Sequence, residues 1–434
     1  MNGIFWFRRD LRLEDHKTLY KALRECEKVS LLFIFDKEIL DQLPRDDHRV
    51  SFLFQRLSLL QSELQVTGKQ LQLLYGNPLE VFEELVEKNS IDIVYTSADY
   101  EPYARKRDGK VADLLARKNI PFIRLKEGVV FEQNEIVKDD GSPYVVFTPY
   151  KKKWMAALRP ESDLASFPSE HHLNNVSSST LNSNYTVAEL SDFGFKKSSL
   201  TAPTSRLTPS LIDQYEATRN FPGIPGTSQL GVYLRFGTIS IRKLVREALD
   251  STNHTFLSEL IWREFFQQIL WHFPHTVTRS FKPAYDAIPW RNAPEDLEKW
   301  KQGKTGYALV DAGMRELNAT GYMHNRVRML TASFLCKHLL IDWRLGEAYF
   351  AEKLFDFELA SNVGNWQWAA GSGVDAAPYF RIFNPETQIS KFDRDLRYIR
   401  KWVPEFESMS YQPIVDHKFA RERCLTTYKS ALQS

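Results

Sequence analysis

The chain is poor in cysteine and close to neutral. Cys26, Cys336 and Cys424 are its only cysteines in 434 residues, and they stand far apart. They form no CxxC pair and no disulfide framework, which suits a reducing cytoplasm. The ten histidines show no HExxH or other ligand spacing, so no metal is expected. The formal net charge is only +2, so any nucleic-acid footprint has to be a local patch. Long apolar runs are missing too. The longest, Leu31 to Phe35, has the length of a buried strand and not of a membrane span. The N-terminal apolar run is too short for a signal peptide, and arginines and acids follow it at once. No GxGxxG follows the first apolar run and no GxxxxGK occurs, so the common phosphate-binding loops are excluded.

What is present divides into three spans. Residues 1–130 alternate apolar runs of strand length with helical periods, some opened by proline (Pro78, Pro102). That pattern predicts a doubly wound parallel α/β sheet. Its first turn carries Arg8, Arg9, Asp10 and Arg12; if this domain binds a ligand, the switch point of the sheet is its expected place, the alternative being a scaffold domain. Residues 131–205 include a stretch rich in Ser, Asn and Thr and are expected to be an interdomain linker. Residues 206–434 show helical periods throughout and predict an all-α domain. The ten tryptophans raise the question of stacking or electron transfer, although a large helical core would also use them.

Four clusters in the third span could carry chemistry. Glu259 and Trp262 are three apart on one helix face, a carboxylate beside an indole, as a base-binding pocket needs. Asn325 and Met329 are four apart, pairing an amide that both donates and accepts with a soft thioether, while Arg326 points elsewhere toward a phosphate. Trp366 and Trp368 are two apart, cannot share one helix face, and are expected to point to different environments. The run Gly226-Thr227-Ser228-Gln229-Leu230-Gly231 offers hydroxyls and backbone N–H groups to a diphosphate. Each has an ordinary alternative: a core Trp with a surface Glu, a core Met with solvated arginines, two structural indoles, a capped helix.

Taken together, in their order and spacing, these motifs resemble the photolyase/cryptochrome family. FWFRRDLRLEDH, GTSQL, LRFGTIS, ELIWREF, KTGYALVDAGMREL, GYMHNRVRM, DWRLGEAYF and NWQWAAGSGVDAAPYFRIFNP carry the resemblance. It implies an N-terminal antenna domain and a helical domain holding FAD. Tyr215, Thr227, Ser228 and Leu230 match FAD phosphate and ribose contacts. Arg263 matches the flavin side of the pocket, Asn362 the residue facing flavin N5, and Arg328 with Asp356 an ion pair beside the ring. TSQLG departs from the commoner TS-x-LS, so one phosphate contact is lost at Gly231. Trp366, Trp343 and Trp290 match a photoreduction chain. Arg219, Arg326, Arg381 and Lys391 match phosphate contacts, and five basic residues against two acidic ones between Lys391 and Lys401 support a basic rim.

Within the family, the branch that the chain resembles is the class I enzymes repairing cyclobutane pyrimidine dimers. Glu259, Trp262, Asn325, Met329 and Trp368 match the dimer-repair set, and the His pair of the 6-4 enzymes is missing. An Asp at the N5-facing position can give the flavin a proton; Asn362 cannot, which suits a fully reduced anionic flavin. The implied activity is light-driven splitting of dimers in duplex DNA by a cytoplasmic monomer without a membrane anchor, the alternative being a blue-light sensor of the cryptochrome type. Asp99 to Arg105 lacks an Asn-Glu pair associated with folate, which favours a deazaflavin, or an empty site, over folate as antenna chromophore.

Overall fold

The computed structural model describes residues 1–406 and 412–433. The first elements follow the expected alternation. Strands β1 (Asn2–Phe7), β2 (Lys28–Asp36), β3 (Leu71–Gly76), β4 (Ile93–Ser97) and β5 (Phe122–Leu125) form one parallel sheet in the order β3-β2-β1-β4-β5. Alternate residues of the strands face opposite layers. Phe5, Phe7, Leu31, Phe33 and Phe35 pack with Leu19 and Leu23 of α1 (Lys17–Glu25) and with Leu57, Leu60 and Leu64 of α2 (His48–Gln65). Ile4, Trp6, Leu32, Ile34 and Val94 pack with Val81, Phe82 and Leu85 of α3 (Pro78–Lys88) and with Val111, Leu114 and Leu115 of α4 (Pro102–Arg117). Burial on both faces explains why the strands read as continuous apolar runs. Pro78 and Pro102 sit at the first helical turn, where a missing N–H costs nothing.

The chain parts into two compact units that interleave in sequence. One holds Met1–Ile136, Met155–Thr201 and Gly231–Asp250; the other holds Val137–Trp154, Ala202–Leu230 and Ser251–Ser434. The expected division at 130 and 206 therefore does not follow the packing. Residues within 155–201 wrap the surface and cover the edge strand β3, with the Tyr75 N–H donating to Tyr185 O at 2.9 Å and the Val187 N–H to Leu73 O at 3.0 Å. A covered edge removes a template for pairing with another chain.

At the switch point between β1 and β4 charged and polar residues pair with one another. Ser97 Oγ donates to Asp10 Oδ2 at 2.5 Å, Arg8 donates to the Ser97 carbonyl, and Arg8 pairs with Asp108. Beside them, Arg12 and Arg242 both pair with Glu127. Burial alone would push the Glu127 carboxyl up, but Arg12, His16 and Arg242 together hold it down at about 2. An opening exists at the ends of β2 and β3, lined by Glu38, Asn77, Tyr103, Lys106, Arg107 and Lys110.

The second unit is helical. Its elements used below are α5 (Phe147–Ala157, which starts in this unit), α6 (Pro209–Thr218), α7 (Thr255–His272), α8 (Ala308–Thr320), α9 (Asn325–Ser333), α10 (Trp343–Lys353), α11 (Leu359–Ala370) and α12 (His417–Gln433). No helix among the described residues is long and apolar enough to cross a membrane.

Candidate active site

Three helices supply most of the site. His324 caps α9, its Nδ1 accepting the Arg326 N–H at 3.2 Å, which sets Asn325 at the first helical position. One turn on, Met329 lies beneath Asn325, with the amide nitrogen 4.0 Å from the sulfur. Helix α11 brings Asn362, Trp366 and Trp368. It can lie close to α7 and α10 because glycines stand at the crossings. A Cβ at Gly364 would meet the Phe266 ring at 2.2 Å, and one at Gly346 would meet the Trp366 ring at 2.1 Å.

Between these helices lies a cavity of about 90 Å³ that opens to solvent. Its wall includes Asn325, Arg328, Met329, Asp356, Glu358 and Asn362, together with Trp366 and Trp368. The two tryptophans were expected in different environments. Both border this cavity instead, Trp366 buried and Trp368 half-buried, because an indole is long enough to reach it from either flank.

The polar groups of the wall are tied to partners in definite directions. Arg328 Nη2 donates to Asp356 Oδ2 at 2.9 Å, while Asp356 Oδ1 is buried with no donor among the described residues. The Asn362 amide nitrogen donates to the Glu347 carbonyl at 3.1 Å and to its carboxylate at 2.7 Å, leaving the amide oxygen as the group unclaimed by Glu347. Burial pushes the Glu347 carboxyl up, and the Asn362 hydrogen bond partly offsets this. Arg263 and Gln267 donate to Glu358 Oε1 at 2.7 and 3.2 Å. Glu347 and Glu358 were not among the sequence candidates. Glu347 lies inside DWRLGEAYF, and its only sequence signal was that motif.

Other candidates reach the cavity only through a neighbour or lie apart. Thr227 Oγ1 is 3.4 Å from the Tyr322 hydroxyl, and Tyr322 lies under the Arg328 guanidinium at 5.6 Å. Ser228 accepts the Arg206 N–H through its carbonyl at 2.9 Å, Gln229 adopts a left-handed φ of 55°, and Leu230 is buried. Tyr215 packs edge-on against Phe256 at 5.2 Å, and burial raises its hydroxyl well above the usual range. Trp262 does not line the cavity. Its indole lies flat against Phe147, with ring centroids 3.7 Å apart and planes at 9°.

Glu259 is ion-paired with Arg219, although the two were expected to act separately on base and phosphate. Arg326 donates to Asn220 Oδ1 at 2.5 Å and lies over the Phe392 ring at 4.4 Å. Arg381 and Lys391 are exposed. Trp343 is buried in the same apolar core as Trp366, and Trp290 packs half-buried at its margin.

The model for DNA photolyase matches residues 3–169, and the model for the FAD binding domain of DNA photolyase matches 256–412. A deoxyribodipyrimidine photo-lyase of Synechococcus sp. is 37% identical to this chain, covering 95% of it and 90% of the relative. The chain belongs to the DNA photolyase family. A bacterial class III photolyase from Agrobacterium tumefaciens superposes with a TM-score of 0.85 at 32% identity, over 100% of this chain and 98% of its own. An archaeal photolyase from Sulfolobus tokodaii, solved with two FAD molecules, gives 0.82 at 33% identity, over 99% of this chain and 100% of its own. In this family member every residue of the cavity wall falls inside the FAD-binding match.

Proposed function

We propose that this chain is a dimer-repairing DNA photolyase of the class I type, splitting cyclobutane pyrimidine dimers in duplex DNA with light. The observation that carries the reading is one shared cavity. Asn325, Met329 and Trp368, the residues suited to a pyrimidine dimer, open on the same space as Arg328, Asp356 and Asn362, the residues suited to a flavin. The wall fits FAD: Asp356 Oδ1 is a buried acceptor without a donor among the described residues, as a flavin ring N–H requires. Arg263, Tyr215, Thr227, Ser228 and Leu230 would hold the rest of the cofactor.

The chemistry that reduced FAD supplies when bound is a light-excited electron, lent to the dimer and returned once the ring has opened. The protein's part is binding and orientation. Asn325 offers a donor and an acceptor to a base edge. Met329 packs on the flipped pyrimidines, and Trp368 and Trp262 stack on them. Glu259 stabilises charge on the dimer carbonyls, which requires its pairing with Arg219 to open. Trp366, Trp343 and Trp290 would form the path by which electrons from an external reductant reach the flavin. Arg219, Arg326, Arg381 and Lys391 meet phosphates. The opening lined by Lys106, Arg107 and Lys110, with Glu38, would take an anionic antenna group; the missing Asn-Glu pair in Asp99 to Arg105 favours a deazaflavin over folate. The enzyme acts as a monomer, and its three free cysteines suit a reducing cytoplasm.

The test is irradiation of the reduced protein, under blue light, with a duplex carrying a single thymine dimer. Restored thymines are expected. No repair by a protein that still photoreduces its flavin would point to a light sensor, and repair confined to single strands or loops would reject the duplex assignment.

A further inference from the structure

The aromatic partner of Trp262 comes from a segment expected to be linker. Helix α5 buries Phe147, Tyr150 and Trp154 on one face and exposes Thr148, Pro149 and Lys152 on the other. The buried face is fixed to α7 at several points. Trp154 Nε1 and the Tyr150 hydroxyl donate to Glu264 Oε1 at 2.7 and 3.3 Å. Lys151 Nζ donates to Ser258 Oγ at 2.6 Å, one residue before Glu259. At the start of α5, the Phe147 N–H donates to Asp375 Oδ2 at 3.2 Å, on the loop that follows α11. Phe147 is therefore held between the helix of Trp262 and the loop leaving the helix of Trp368.

The contact made from this position is nearly parallel, at 3.7 Å and 9°, and the Phe147 side of the indole is covered. Phe266 flanks the indole at 5.4 Å with planes at 30° and itself rests on Gly364 of α11. A half-exposed indole without such a neighbour would exchange rotamers and would have to be ordered when a base stacks on it. Ordering it beforehand removes that cost from binding.

We propose that Phe147 is a positioning residue for lesion recognition, fixing the plane of the Trp262 indole on which a flipped pyrimidine stacks. The proposal rests on the reading that Trp262 meets the dimer. Phe147 acts through Trp262 and touches no substrate itself.

The experiment measures affinity for a duplex with one thymine dimer and for the same duplex undamaged, with flavin content read by absorbance, in Phe147→Leu, Phe147→Tyr and Trp262→Ala. Phe147→Leu keeps an apolar side chain and loses the flat face. It is expected to weaken dimer binding roughly 2- to 10-fold while leaving undamaged binding, flavin content and repair per photon at saturating DNA unchanged. Phe147→Tyr should restore the wild-type ratio. Should Phe147→Leu lose flavin, Phe147→Met takes its place with the same expectation. Equal losses on both duplexes, or no recovery in Phe147→Tyr, would make the contact merely structural and overturn the proposal. Wild-type discrimination in Phe147→Leu beside lost discrimination in Trp262→Ala would do the same. Unchanged discrimination in Trp262→Ala would remove the lesion-stacking reading and this proposal with it.

Discussion

Arg219, directly after α6, forms an ion pair with Glu259 of α7, and the next residue, Asn220, accepts a hydrogen bond from Arg326 of α9. One turn of chain thus holds a group assigned to the bases and a group assigned to the phosphates. The Arg219 and Glu259 side chains are 32% and 36% exposed, and such pairs contribute only about 0.2–1 kcal/mol. A DNA phosphate can compete for Arg219 at that strength, and its arrival would free Glu259 for the dimer. Glu259→Gln is therefore expected to tighten binding to undamaged duplex and to steepen its salt dependence by about one phosphate. In an Arg219→Ala background the same substitution should have no such effect. Binding titrations over a range of salt concentrations check this; an equal effect in both backgrounds would reject the exchange.

How much of this was legible beforehand depended on whether the deciding contact was local. The strands were legible because burial on both faces writes itself as an apolar run, and the helix starts because Pro78 and Pro102 mark them. Asn325 and Met329 were legible because a spacing of four fixes their neighbourhood on a helix. The Phe147–Trp262 stack and the Arg219–Glu259 pair were not, since each joins residues distant in sequence and no periodicity reports a distant partner. At the linker, a polar composition marks a segment that wraps the surface but does not say what it covers: the backbone of Tyr185 and Val187 pairs with β3, and Thr186 bonds Gln72.

Asn362 and Glu347 give a prediction about pH. In the native chain the amide donates to the Glu347 carboxylate, already pushed up by burial. In Asn362→Asp two carboxyls would share that contact, and like charges at hydrogen-bond distance cannot both ionise cheaply. The pair should keep a proton, so its contribution to stability is present at low pH and is lost as pH rises through the raised value. Thermal unfolding followed across pH is expected to show Asn362→Asp falling behind the native protein toward alkaline pH. Parallel curves would contradict the shared proton.

Glu127 gives the opposite sign. Its carboxyl is held at about 2 by Arg12, His16 and Arg242. A lowered value means stabilisation present above the ordinary range of a glutamate and lost as pH falls from about 4.5 toward 2, on the order of 3 kcal/mol in full. Glu127→Gln leaves Arg12 and Arg242 without that carboxylate, so it should be strongly destabilised at neutral pH. The gap from wild type should narrow through the acid range. A denaturant midpoint series at several pH values measures it, and a gap independent of pH would show that Glu127 is not the group titrating.

The tryptophans give the sharpest separation between activation and repair. Trp366 borders the cavity and is nearly inaccessible, its ring end against Gly346, one helical turn from Trp343. Trp343 is also buried, and its indole N–H has no acceptor among the described residues. On the proposed path, an indole oxidised there would have no hydrogen-bond partner among the described residues to take its proton, so the charge would be passed on and not trapped. Trp290, half-buried against Tyr428 at 6.0 Å, is the member of the three that can reach water and release a proton. Trp366→Phe keeps an aromatic ring in the cavity wall and breaks the path at its inner end. Such a protein is expected to retain FAD, to fail to photoreduce it, and to repair dimers normally once the flavin is reduced chemically. Trp290→Phe should allow the first electron transfer but let it reverse, giving a short-lived signal in transient absorption. Full photoreduction in Trp366→Phe would mean that the electron enters by another route, and lost repair after chemical reduction would mean that Trp366 serves the lesion and not the activation path.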